Sequence, residues 1–252
     1  MNSASLFLPS FILTPPPPCK LRPLLQSKLQ PTFHTLRFSL SLTPKPSPPR
    51  ATDSDLGAAV SLPVPIAEII EKDWSVLEPA SENGSFERIV SAGRVEEGSR
   101  VLVSTGSEDF VDCLVALTPC LFLVHDSLLI LACVKEKYDK VKCWQGEVLH
   151  VPQKWAPFDV VFLYFLPALP FGLDQILGSL AGKCVPGGRV IISHPKGREV
   201  LEQQRQQYPE VVVSDLPDKT YLQNVAAVHS FAVAEFVDEP GLYLAVLICS
   251  RV

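Results

Sequence analysis

From residue 95 onward, short apolar runs alternate with longer stretches in which apolar positions recur three and four residues apart. The runs at 101–103, 121–124, 141–144, 158–165 and 189–193 predict strands. The stretches at 109–117 (Val111, Leu114 and Val115 inward), 127–137 and 173–180 predict helices. Runs that are apolar throughout, as at 158–165, are characteristic of strands buried on both faces of a parallel sheet. Their alternation with helices predicts right-handed βαβ units, and Gly187-Gly188 predicts a turn before the fifth strand. The ending differs. Apolar stretches at 231–237 and 242–249 flank Asp238-Glu239-Pro240-Gly241, so the last two strands form a hairpin and at least one is antiparallel. Upstream, a helical pattern begins at Pro65, with Ile66, Ile69, Ile70 and Trp74 on one side, and ends at Pro79 and the polar residues 81–85. A second short helix holds Phe86, Ile89 and Val90 and stops at Gly93.

Charge divides the chain where periodicity does not. The first acidic residue is Asp53, and six basic residues precede it: Lys20, Arg22, Lys28, Arg37, Lys45 and Arg50. A basic, acid-free segment rich in Ser, Thr and Pro reads as an organellar transit peptide, with cleavage near residues 50–52. No positive charge precedes the apolar residues 6–13, which disfavours a secretory signal. The proline run at 15–18 interrupts any long amphipathic presequence helix, which favours the chloroplast stroma, with the mitochondrion as second choice. The expected organisation is therefore a disordered transit peptide over 1–52, a linker with N-terminal helices over 53–94, and one domain over 95–252. Of the 22 Lys and Arg residues, 16 remain after the leader against all 27 acidic ones, a net of −11. That balance disfavours a nucleic-acid partner, because phosphate neutralisation needs clustered cations. No run of about 18 apolar residues is free of proline and charge, so no membrane span is expected.

Seven cysteines are present, Cys19 in the leader and Cys113, Cys120, Cys133, Cys143, Cys184 and Cys249 beyond it. No C-x-x-C occurs and no Cys/His pair has zinc spacing, so no metal site is expected. Most of the six sit in apolar runs and read as small core residues; a redox-sensitive thiol is the other reading.

Three local motifs sharpen the picture. Phe158-Asp159-Val160-Val161-Phe162 opens the fourth strand, Gln145-Gly146-Glu147 follows the third, and Val185-Pro186-Gly187-Gly188-Arg189-Val190 leads into the fifth. Together they resemble class I S-adenosylmethionine-dependent methyltransferases over about Val95 to Val252, as a divergent, plant organelle-targeted member. The resemblance implies an α/β fold: a Rossmann-like, mostly parallel seven-stranded sheet, helices on both faces, and a C-terminal antiparallel hairpin. It also implies S-adenosyl-L-methionine as cofactor, bound outside the C-terminal strand ends at the switch in strand order. By position, Thr105, Gly106 and Ser107 form the loop after the first strand, Asp126 accepts from the ribose hydroxyls, Glu147 accepts from the adenine amino group, and Val148 packs the base. Read from the residues alone, Asp126 is also a suitable N-cap for the helix at 127, and Glu147 an ordinary loop carboxylate. The family pattern departs at the first loop, where Ser104-Thr105-Gly106-Ser107-Glu108-Asp109 has a single glycine and its side chains crowd the cofactor's methionine end.

On the acceptor side, Leu163-Tyr164-Phe165-Leu166-Pro167 lacks the Asn/Asp-Pro-Pro-aromatic pattern of many nucleobase and amide-nitrogen methyltransferases. His194, just past the fifth strand, is a candidate general base or else a polar loop residue; Tyr164 is a candidate wall for cofactor or acceptor or else a packing residue. Two functions follow: a plastid methyltransferase acting on a small molecule or a protein, or a catalytically inactive relative serving as a binding or assembly module, with a protein partner closing the site. No G-x-G-x-x-G follows a strand, which disfavours a nicotinamide-dependent oxidoreductase.

Overall fold

The computed structural model describes residues 72–74, 76 and 84–250. Seven strands form one sheet: β1 (Val101–Ser104), β2 (Leu121–His125), β3 (Lys142–Gln145), β4 (Phe158–Leu163), β5 (Cys184–His194), β6 (Phe231–Glu239) and β7 (Leu242–Cys249). Their order is β3-β2-β1-β4-β5-β7-β6. The first five strands pair in parallel, and β7 is antiparallel to both β5 and β6. Among the described residues six α-helices accompany them: α1 (Ser85–Ala92), α2 (Glu108–Leu117), α3 (Leu128–Lys137), α4 (Leu173–Ala181), α5 (Leu201–Gln207) and α6 (Lys219–Val228).

Side chains alternate between the two faces, as strand geometry requires. Leu102, Phe122, Val161 and Val190 meet Ile176 and Leu180 of α4 and Leu222 of α6. Val101, Val103, Leu123, Phe162 and Ile191 meet Ile89 of α1, Phe110 and Leu114 of α2, and Leu131 of α3. All of these are buried, and burying each such side chain stabilises the fold by roughly 1.5–3 kcal/mol. The apolar runs read as two-faced strands therefore have a helical layer on each side. Helix α1 belongs to the same compact unit as the sheet. Its last turn rests on β4: a methyl group at Gly93 would lie 2.4 Å from the Phe162 Cζ.

Several details differ from expectation. Residues 65–71 of the helix predicted from Pro65 lie outside the described residues, and Lys72, Asp73 and Trp74 are in no helix. The Pro-Gly-Gly segment does not precede β5 but bulges out of it. Phe158 pairs with Cys184 and Val160 with Arg189, so three extra residues are accommodated on β5. Gly187 has φ +78°, and a side chain at Gly188 would lie 2.9 Å from the Val185 carbonyl oxygen, which is why both positions need glycine. The polar stretch at 203–207, with Arg205, reads from its composition as a solvated helix face; it is helical, but Gln204 is buried. Helix α6 was not predicted; among its residues only Leu222 and Ala226 are buried, too weak a stripe to read. Cys184 and Cys249 are core residues as expected, whereas Cys113 and Cys133 are exposed and Cys120 and Cys143 half-buried. Cys113 and Cys133 lie on the outer faces of α2 and α3, where apolar neighbours in sequence point elsewhere. Among the described residues no helix is long and apolar enough to cross a membrane, and no cluster of metal-ligating side chains occurs.

Candidate functional site

The strand order reverses beside β1: the chain moves outward to β2 and β3, then returns to β4 and β5 on the other side. The loops after β1 and β4 therefore diverge and leave a crevice at the carboxyl ends of the strands. A cavity at this edge is lined by Ser104, Thr105, Gly106, His125, Asp126, Gly146, Glu147, Val148, Phe165, Ala168, Leu169 and Trp74. Five of the six positions expected to hold a cofactor line it: Thr105, Gly106, Asp126, Glu147 and Val148. Ser107 does not. Its hydroxyl accepts from the Phe110 N–H at 3.4 Å and caps α2.

Local rules explain each placement. The Ser107 N–H donates to Thr105 Oγ1 at 3.0 Å, so the buried Thr105 side chain folds back onto its own loop. Ser127, not Asp126, caps α3 by accepting from the Ile130 N–H at 3.1 Å. Asp126 is thereby left free of the capping role and faces the cavity. Gly146 has φ +136° and donates its N–H to the His125 carbonyl at 2.9 Å, turning the chain sharply after β3 so that Glu147 returns toward Asp126. Burial, and secondarily the Asp126 carboxylate, push the Glu147 carboxyl above the usual carboxylate range.

Asp126 has a partner from far upstream. Lys72 Nζ lies 2.6 Å from Asp126 Oδ2, with both side chains about one-third exposed (33% each). The same ammonium stands 5.4 Å from the centre of the Trp74 ring. The indole in turn meets the His125 ring edge-on, with centroids 4.3 Å apart, and its Nε1 is buried with no partner among the described residues. His125 is buried and neutral: desolvation lowers its pKa to about 4 against the opposing pull of Asp126, with Lys72 adding a smaller downward push. Its Nδ1 accepts from the Ser127 N–H at 2.9 Å, so the 3.2 Å approach of Asp126 Oδ1 to that atom is not an ion pair. The cavity left beside Trp74 measures about 30 Å³, on the scale of one or two waters, where sites for small ligands hold roughly 300–1,000 Å³. The donor and acceptor set suits a nucleoside cofactor; the space, with Trp74 and Lys72 seated, does not.

The two acceptor-side candidates do not line this cavity. The predicted strand at 158–165 ends at Leu163, so Tyr164 and Phe165 lie in the turn beyond it, and they pack into the clusters on opposite faces of the sheet. Tyr164 stacks on Phe110 at 4.2 Å, and its hydroxyl is buried without a partner among the described residues. His194 is fully buried. Its Nε2 is paired with Gln204 Oε1 at 2.8 Å and its Nδ1 accepts from the Lys196 N–H at 3.3 Å. The Phe165 ring, centred 4.7 Å from His194, borders the cavity that His194 does not. Lys72, Trp74 and Phe165 were not read from the sequence as site residues. Only Phe165, two residues past the end of β4, sat where strand-end reasoning could have found it.

No family model and no curated protein matches the sequence. Solved structures do resemble it. A chain of the complex between the Haloferax volcanii Trm112 methyltransferase activator and a methyltransferase candidate superposes with a TM-score of 0.56 at 16% identity, over 66% of this chain and 89% of that one. An S-adenosylmethionine-dependent methyltransferase from Mesorhizobium loti gives 0.55 at 12% identity, over 66% and 98%. The N-methyltransferase NodS from Bradyrhizobium japonicum, in complex with S-adenosyl-L-homocysteine, gives 0.53 at 8% identity, over 73% and 94%. The strand order, the terminal antiparallel pair and these neighbours agree: the chain has the Rossmann-like fold of class I S-adenosylmethionine-dependent methyltransferases.

Proposed function

We propose that this protein is an S-adenosylmethionine-dependent methyltransferase acting on a small molecule or a protein in a plastid, with the mitochondrion as second choice. The observation that carries the reading is the convergence of Asp126 and Glu147, two acidic residues from different strand ends, on one cavity at the switch point, beside the buried Val148. Carboxylates so placed accept hydrogen bonds from a ribose and an exocyclic amine, and an apolar side chain between them packs a purine. One solved neighbour comes from a complex with a methyltransferase activator, which supports a protein partner closing the site. The acid-free segment before Asp53 supports organellar delivery, and transient expression of a fluorescent fusion tests it.

The cofactor reading is tested by titrating S-adenosylhomocysteine by calorimetry into the full chain carrying Lys72→Ala and into the same chain with Asp126→Ala added, so that loss of the Lys72–Asp126 pair is common to both. Saturable binding that falls at least tenfold in the double variant supports it; equal affinity in both removes Asp126 from the site. A second reading, a non-catalytic binding or assembly module, is favoured by the seating of Trp74 and Lys72 in the crevice and by the single glycine after β1. It predicts a folded protein that shows no binding at millimolar ligand.

A further inference from the structure

The site offers the right polar groups and lacks the space, and the missing space is filled by the chain itself. Lys72 places a cation on Asp126, the carboxylate assigned to the ribose, from 54 residues upstream. Trp74 places a flat aromatic ring in the lining shared with Glu147 and Val148. Val76 is buried in the cluster that contains Val148 and Phe165, and its carbonyl accepts from Lys196 Nζ, just beyond β5, at 3.2 Å. The segment is thus anchored at both ends across the crevice, by one ion pair near β2 and one hydrogen bond near β5.

We infer that the segment carrying Lys72, Trp74 and Val76 is an intramolecular plug that competes with the nucleoside cofactor for Asp126, so that the site opens only when this segment leaves. The inference rests on the reading of the crevice as a cofactor site. Two features mark the plug as displaceable. The Lys72–Asp126 pair is one-third exposed and screened by water, so it is easily exchanged. The buried Trp74 Nε1 has no partner among the described residues, which lowers the stability of the seated state relative to one in which that N–H meets water. A site whose open form is a minor population binds with an affinity reduced by that fraction, and loosening the plug restores it.

The experiment is calorimetric titration of S-adenosylhomocysteine into the full chain, wild type and variants, each shown to be folded by circular dichroism and a cooperative thermal transition. Lys72→Ala should tighten binding about threefold to tenfold, and Lys72→Ala with Trp74→Ala by about thirtyfold or more. Lys72→Arg should bind as the wild type does. In the wild type, saturating ligand should also increase the acrylamide quenching of the half-buried Trp74, with Trp74→Phe giving the contribution of the other two tryptophans. Binding of equal or lower affinity in Lys72→Ala and in the double variant overturns the plug and leaves the cofactor site standing. Unchanged quenching with ligand bound does the same. Absence of binding in every folded protein, variants included, overturns the cofactor site and the plug with it.

Discussion

His194 provides a test of the structure that needs no ligand. It ends β5, is fully buried, and is held in its neutral form by using one ring nitrogen as donor to Gln204 Oε1 and the other as acceptor from the Lys196 N–H. Desolvation lowers its pKa from 6.5 to about 4; the bond to Gln204 opposes this and the nearby Lys196 adds to it. As pH falls, the unfolded chain binds its proton first. The sign is therefore fixed: stability present above about pH 6.5 is lost progressively toward about pH 4. With those two values, His194 alone removes about 2 kcal/mol between about pH 7.5 and about pH 5, and about 3 kcal/mol once the folded form titrates. The perturbation is His194→Gln, which cannot take up a proton. Urea unfolding at both pH values gives the difference. The variant is expected to be less stable at the higher pH, because the Lys196 and Gln204 hydrogen bonds must be remade. It should nevertheless lose about 2 kcal/mol less than the wild type on acidification. His125, also lowered to about 4, is present in both proteins and cancels. Equal losses in wild type and variant would refute the claim that His194 is buried and neutral.

Three further outcomes follow from packing and capping. Gly93→Ala places a methyl 2.4 Å from the Phe162 Cζ in the core of β4, so it should destabilise by about 1–3 kcal/mol in urea unfolding, and Phe162→Leu should recover part of that loss in the double variant. Ser107→Ala removes the α2 cap and should cost about 1 kcal/mol while leaving S-adenosylhomocysteine affinity unchanged, which separates its structural role from the cavity. Tyr164→Phe removes a buried hydroxyl with no partner among the described residues; its thermal midpoint should be equal to or higher than that of the wild type, and a marked fall would show that the hydroxyl is bonded after all.

What was legible in the sequence, and what was not, divides by range. The strands read at 121–124 and 158–165, which span 121–125 and 158–163, were legible because their burial is two-sided and nearly every position is apolar. Gly187 and Gly188 were legible as a turn because the backbone there admits little else, although the turn is a bulge within β5 rather than a lead into it. Asp126 and Glu147 were placed by the resemblance, which implies acidic residues after the second and third strands, and the fold brings both to one cavity. Tyr164 and His194 were also at strand ends, but end position alone does not say which face a side chain takes. The turn after β4 sends Tyr164 to the far face, and Gln204, from α5, closes over His194.

The hardest feature to read was the one that decides the site. Trp74 and the isoleucines before it had helical spacing, and such spacing points to core packing against the nearest element. Nothing within a window of 15 or so residues states that Lys72 will meet a carboxylate 54 positions later. Yet the pairing has a physical logic available only in three dimensions. An acidic pair at a strand-end crevice, Asp126 beside a Glu147 whose carboxyl is already pushed up by burial, is an electrostatic cost to the folded chain unless a cation comes near. A sugar hydroxyl relieves that cost by hydrogen bonding, and an ammonium relieves it by charge. The chain supplies the ammonium itself. The same carboxylates that make the crevice fit for a nucleoside therefore also make it attractive to Lys72, and occupancy of the site depends on which of the two binds it more strongly.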